Sequence, residues 1–404
     1  MGEPIVLPHE DPAFVADPFP FYRRLREGGP VRRVVTVRGM EAWLVTRYED
    51  AREAFTDPRL TSDLRGATDP RLLEQMPSAE RTSAMRSMIR LDPPDHTRLR
   101  RLVSKAFTVR RVAELEPRVQ AITDRLLDAI IPAGRADLIE DFALPLPVTV
   151  ISELLGVPLT DRDRFQEWTN VLLTQRPDRP DPEATDWAWQ QMWSYLEGLL
   201  AAKRRDPADD LLGALITARD RDQRLDEGEL VAMAFLLLVA GYITTVNLIG
   251  NGIVALLAHP GQLKLLRDDP GLLPNAVEEF LRYDGPVNPG ILRIAAEDLE
   301  IGGVAVPRGA TVIIATAVAD RDPAEFPEAD RLDVARTAGA HLAFGHGIHY
   351  CLGAPLARLE GRIAIGTALR RLDDLALAVP YEELPWQVGG LRGLEHLPVT
   401  FTPA

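Results

Sequence analysis

From Pro94 to Pro207, apolar residues recur at three- and four-residue spacing, as in "ELEPRVQAITDRLLDAI". That period predicts a run of amphipathic helices. The segment "TQRPDRPDPEATDW", with Pro177, Pro180 and Pro182, interrupts the run. Helical patterns of similar style lie on both sides, so it reads as a surface loop rather than a linker. Four tryptophans flank it (Trp168, Trp187, Trp189 and Trp193) and read as core anchors, with a lid over an apolar ligand as the alternative. Glu227 to His259 predicts one very long helix closed by Pro260, running most of the way across the molecule at ~1.5 Å per residue. Its most apolar part, Leu230 to Ile243, is shorter than the ~18 residues needed to span a bilayer, so it reads as a buried core helix.

Toward the N-terminus, Val31 to Val37 and Ala42 to Val45 flank a turn and predict a hairpin, and Asp50 opens a short helix, "DAREAF". Beyond Ile291, "DLEIGGVAVPRGATVIIATA" alternates between glycine turns and predicts strands. "PLARLEGRIAIGTALRRL" then returns to amphipathic helix. No repeat period is present. The pattern is that of a mainly α chain with a smaller β region.

Composition narrows the class. The 404 residues are 46% hydrophobic and 26% charged, which supports a large core. Length alone suggests two or three domains. A net charge of −14 argues against general affinity for nucleic acid. The N-terminal residues lack a basic start and an apolar run, so neither a signal peptide nor a membrane anchor is expected, and a cytoplasmic location is. One cysteine excludes an internal disulfide. Three lysines against 43 arginines hint at a G+C-rich bacterial source.

That cysteine, Cys351, lies in "AFGHGIHYCLG" just before the last amphipathic helix. Nearby amides and the helix dipole favour a thiolate, which is either a nucleophile or a metal ligand. A protease pair needs a histidine and a group to orient it. His349 is only two residues away, and no orienting group is obvious. No second cysteine or HExxH spacing supports zinc. A single thiolate among glycines suits heme.

Phe344-Gly345-x-Gly347-x-His349-x-Cys351-Leu352-Gly353, continuing to Ala357 and Arg358, resembles the heme-binding loop of cytochrome P450 enzymes. Glu279-Phe280-Leu281-Arg282 is similar to the family's ExxR element. Arg336 in "RLDVAR" matches the third member of that buried triad, although Leu332 replaces the usual phenylalanine. "ADRDPAEFP" and "GLRGLEHLPV" are further landmarks, so the resemblance runs from about Asp17 to Val399. It implies one cytochrome P450 domain over residues 1–404, a helical fold with a long central helix over the heme. The cofactor implied is heme b, iron protoporphyrin IX.

The same resemblance implies residue roles. Cys351 would be the axial iron ligand, and Phe344, Gly345 and Gly353 would shape the loop. His96 and Arg100, which share a helical face, would meet heme propionates together with Arg293 and His349. Ala240 and Thr244 would face the dioxygen side; a threonine bonding back to its own helix is common and compatible with that role, since such a bond would bend the helix and open an oxygen pocket. Leu236, Val239, Pro289, Ile291 and Leu394 would line the substrate pocket, with a mobile wall between Thr61 and Arg90. Electrons would come from a ferredoxin and its reductase, docking near Arg101 and Arg362. The protein would act as a monomer.

The pattern breaks at Ile243, where the family normally carries an acid just before the threonine. An isoleucine carries no proton. Water held by Thr244 or polar groups of the substrate replace the acid, or Tyr242 does, or the reaction tolerates slow protonation, as oxidative coupling or peroxide-driven oxidation does. The first is favoured, because a positioned water relays protons for a side chain that cannot. The implied activity is oxygen insertion from O2 into a small apolar or amphipathic molecule of the secondary-metabolite kind. A heme-thiolate protein without turnover is the alternative from another class.

Overall fold

The computed structural model describes residues 3–37, 39–68, 87–104, 107–173, 181–207, 210–222, 225–337 and 339–403. Helices dominate. Their apolar faces merge into one large cluster reaching from Met88 to Phe401, with the fully buried Leu99, Leu127, Phe142 and Ile249 among its members.

Smaller clusters cover a mixed six-stranded sheet. Val31–Val35 and Glu41–Val45 form the expected hairpin, Val31 opposite Val45. The second hairpin strand pairs in parallel with Thr311–Ile314, which pairs antiparallel with Ile291–Ala295. Chain segments about 270 residues apart thus share one sheet. The strand that carries Arg293 is fixed there.

The short helix predicted from Asp50 begins earlier, at Tyr48. The reason is remote: the Asp322 carboxylate accepts the Tyr48 N–H at 3.0 Å, satisfying an amide that a helix start leaves unpaired. Pro177 and Pro180 lie outside the described residues. The helices on either side, Arg162–Leu173 and Pro182–Arg205, pack on one another, with Phe165 and Tyr195 edge to face at 4.7 Å. Trp168 and Trp189 are buried, Trp189 stacked on Phe235 at 4.2 Å, whereas Trp187 is exposed.

The long helix is the main correction. It is two helices, Glu227–Ala240 and Ile243–Ala258, broken at Gly241 and Tyr242. Asp226 and Glu229 form a reciprocal cap at the first start. At the break, a side chain on Gly241 would run into the Leu237 carbonyl and Ile151, so only glycine fits. Tyr242 leaves helical geometry with φ −122° and ψ −45°. The two segments together are long and apolar enough to cross a bilayer, but 67% of the apolar window is buried against other helices. This is core.

Candidate active site

The Cys351 loop is built on two left-handed glycines, Gly345 (φ +69°) and Gly347 (φ +73°), conformations that side chains resist. A Cβ on Gly347 would also press on the Phe55 carbonyl. The Cys351 N–H donates to the Phe344 carbonyl (2.9 Å) and the Tyr350 N–H to the Gly347 carbonyl (3.1 Å). The bend ends at Gly353, which caps the helix Ala354–Arg371.

The Cys351 side chain is open on one side and crowded by protein on the others. Burial pushes the thiol's pKa up, outweighing the downward pull of the Gly353 and Ala354 amides and of the Arg100 and Arg358 charges. The amides at the helix start pull the thiol toward thiolate as the sequence predicts, while burial opposes them. A metal ion bound at the sulfur would hold it as thiolate, because coordination deprotonates a thiol outright. Among the described residues, no three histidine, cysteine or carboxylate side chains gather into a metal site.

Four of the residues singled out in the sequence converge beside the loop. His96 is 2% exposed, and neither of its ring nitrogens has a hydrogen-bond partner. Its ring lies 4.2 Å from that of His349. Burial first, then the charges of His349 and Arg100, lowers the His96 pKa to about 4. Arg293 is buried at 3% exposure, and its Nη1 donates to the neighbouring Leu292 carbonyl (2.9 Å). Burial and the charge of Arg90 lower its pKa to about 10. Arg100 donates to the Tyr350 carbonyl at 2.6 Å.

One carboxylate, Asp92, faces this group, 3.8 Å from His349 Nε2. Burial disfavours its charge, but bonds from His349, Thr61 and the Ser62 amide overcome that and hold its pKa well below the usual range. Ser62 Oγ also meets His349 Nε2 at 3.0 Å. Buried donors without acceptors are costly, so the orphaned His96 nitrogens and the buried Arg293 fit an anionic group. The two carboxylates of iron protoporphyrin IX answer that description. The residues present fit heme.

On the broken helix, Ala240 is exposed although Val239 before it is buried and Gly241 after it is half-buried. The Thr244 hydroxyl donates back to the Ala240 carbonyl (3.2 Å), a bond that loosens and bends helices. Ile243 is buried in the core. Tyr242 is 2% exposed, its hydroxyl lies against Thr169, and burial raises its pKa, which disfavours it as a proton donor.

Glu279 binds Arg282 with two bonds (2.7 and 2.9 Å), Arg336 Nε at 3.2 Å and the Asp333 N–H at 2.9 Å. Glu279 and Arg282 are 1% and 2% exposed. Leu236, Pro289 and Ile291 are half-buried and Val239 is buried. Leu394 is fully buried, and its backbone bridges to Trp386. Arg362 is engaged by Glu116 at 3.0 Å. Of the wall between Thr61 and Arg90, residues 69–86 lie outside the described residues.

Sequence reasoning missed Ser62, Asp92, Glu278 and His341. Asp92 stands four residues before His96, a one-turn spacing that could have marked it. Nothing local marks Ser62.

The chain matches the family model for cytochrome P450 over residues 20–375. It is 50% identical over 395 residues to cytochrome P450 107B1 of Saccharopolyspora erythraea, covering 96% of each chain. It is 49% identical to the vitamin D(3) 25-hydroxylase of Pseudonocardia autotrophica, covering 96% of this chain and 95% of that one. The tirandamycin C-bound P450 monooxygenase TamI superposes with a TM-score of 0.89 at 45% identity, covering 98% of this chain and all of that one. With the loop, the broken helix and the matching chains in agreement, this protein belongs to the cytochrome P450 family, as a heme monooxygenase akin to those of bacterial secondary metabolism.

Proposed function

We propose that the chain, acting as a single-domain cytoplasmic monomer, inserts one oxygen atom of O2 into a small apolar or amphipathic secondary metabolite. The observation that carries this reading is the convergence of Cys351 with an excess of buried cationic and donor groups. Cys351 would ligate the iron, and His96, Arg100, Arg293 and His349 would hold the propionates, with Arg forks suited to carboxylates. Gly345, Gly353 and Phe344 shape the loop beneath. When bound, heme supplies the dioxygen and electron chemistry of the reaction.

The protein's own part is positioning and proton supply. Leu236, Val239, Pro289 and Ile291 give an apolar lining that excludes water. Thr244 uses its hydroxyl hydrogen on Ala240, so its oxygen lone pairs remain free to hold a water. That water would replace the acid absent at Ile243, a reading supported by the burial of Tyr242. The buried Ile243 is also what favours a second reading, oxidative coupling or peroxide-driven oxidation, which asks less of proton delivery. A ferredoxin and its reductase would bring the electrons.

The test is a titration of the ferric holoenzyme with apolar and amphipathic candidates, followed by turnover under labelled dioxygen. A ligand that displaces iron-bound water and gains one labelled oxygen supports the proposal. A ligand that binds but is coupled to itself or left unchanged points to the second reading or to a non-catalytic binder.

A further inference from the structure

The helix Leu273–Asp284 carries two adjacent glutamates with different partners. Glu279 closes the buried triad. Glu278 turns to the cysteine loop: its carboxylate accepts from Arg358 Nε (2.7 Å), Arg358 Nη2 (2.8 Å) and His341 Nε2 (3.1 Å). The Nδ1 of His341 accepts the Ala343 N–H at 3.2 Å, so in the neutral ring Nε2 carries the proton and donates. One carboxylate therefore ties a residue ten positions before Cys351 to a residue seven positions after it. Arg358 also lies over the Phe344 ring at 4.5 Å and donates to the Tyr350 hydroxyl at 3.2 Å. Four side chains from the cysteine segment, His341, Phe344, Tyr350 and Arg358, thus meet at this clasp with Glu278. Its geometry is strong: a guanidinium fork on a carboxylate is the bidentate arrangement that fixes orientation as well as binding.

The clasp reaches the sulfur in a second way. The positive charge of Arg358 acts on Cys351, and Glu278, bound to that guanidinium, offsets part of it. We propose that Glu278 is a positioning residue that keeps Cys351 bound to heme iron as thiolate and, by offsetting Arg358, sets how much electron density the sulfur keeps. The proposal rests on Cys351 being the axial ligand. Replacing Glu278 by Gln keeps the shape, removes the charge, and presents an N–H₂ to one arm of the guanidinium fork. The loop then loosens and the net positive charge near the sulfur rises.

The test uses substrate-free holoenzyme as wild type, E278Q and E278D, with thermal unfolding as a control. Two readouts are taken: the rate at which the reduced carbon monoxide complex loses its thiolate-type absorption in mild denaturant, and the midpoint potential of the iron. For E278Q we expect a several-fold faster loss and a shift of the potential to more positive values, with E278D in between. Should E278Q fail to load heme, H341A removes one limb of the clasp only, and a faster loss than wild type is again expected. Rates and potentials equal to wild type, or a lower melting temperature with neither readout moved, overturn the proposal. If wild type itself never shows the thiolate-type absorption, the fault lies in the Cys351 assignment and not in Glu278.

Discussion

Glu360 offers a quantitative test of the packing beneath the cysteine helix. It is 1% exposed on the helix Ala354–Arg371, its Oε2 has no hydrogen-bond partner, and burial alone raises its pKa from 4.5 to about 8. The sign follows from linkage: the folded state holds the proton more tightly than the unfolded one. Its stability is therefore fullest below pH 4.5 and declines as pH rises toward 8. At ~1.36 kcal/mol per pKa unit, the loss between pH 5 and pH 7 is roughly 2–3 kcal/mol. Glu360→Gln removes the titration and keeps the size and polarity. The assay is equilibrium urea unfolding of both holoproteins at the two pH values, where other titrating groups cancel in the difference. The variant should match wild type within about 1 kcal/mol at pH 5 and exceed it by about 3 kcal/mol at pH 7. A protonated-carboxyl infrared band at pH 7 should vanish in the variant. A difference that does not change with pH, or a variant weaker at pH 7, would refute the reasoning by showing Glu360 ionised and paired.

Three other outcomes follow from the site. Glu279→Gln strips the charge that compensates the buried Arg282 and should cost about 3–5 kcal/mol, seen as lost holoprotein yield and an earlier melt; an unchanged melt contradicts the triad's role. Arg293→Ala removes a charge-assisted contact and should speed heme transfer to an acceptor globin roughly ten- to a hundredfold; wild-type transfer rates would place the propionates elsewhere. Ile243→Glu should raise product formed per electron consumed if proton supply is limiting, whereas unchanged coupling means the position does not matter.

Legibility in the sequence followed the range of the forces involved. The cysteine loop could be read because its glycines, histidine and cysteine lie within eleven residues and each answers a local demand. The hairpin at Val31–Val45 and the strands after Ile291 were equally local. The break at Gly241 was not: it needs Ile151 crowding the glycine from another helix, and helical periodicity passes through it unmarked. The inward turn of Tyr242 toward Thr169 depends on packing across the fold. At Cys351, burial by the surrounding fold opposes the pull of the helix-start amides, and only the amides are visible in local sequence. The clasp joins Glu278, His341 and Arg358 over 80 residues of chain, which no spacing rule anticipates.

The most direct test of the whole account replaces one atom. Cys351→Ser should abolish the thiolate-type absorption of the reduced, carbon monoxide-treated protein while leaving the helical content intact. Persistence of that absorption in the serine variant would mean that sulfur from Cys351 is not what holds the iron.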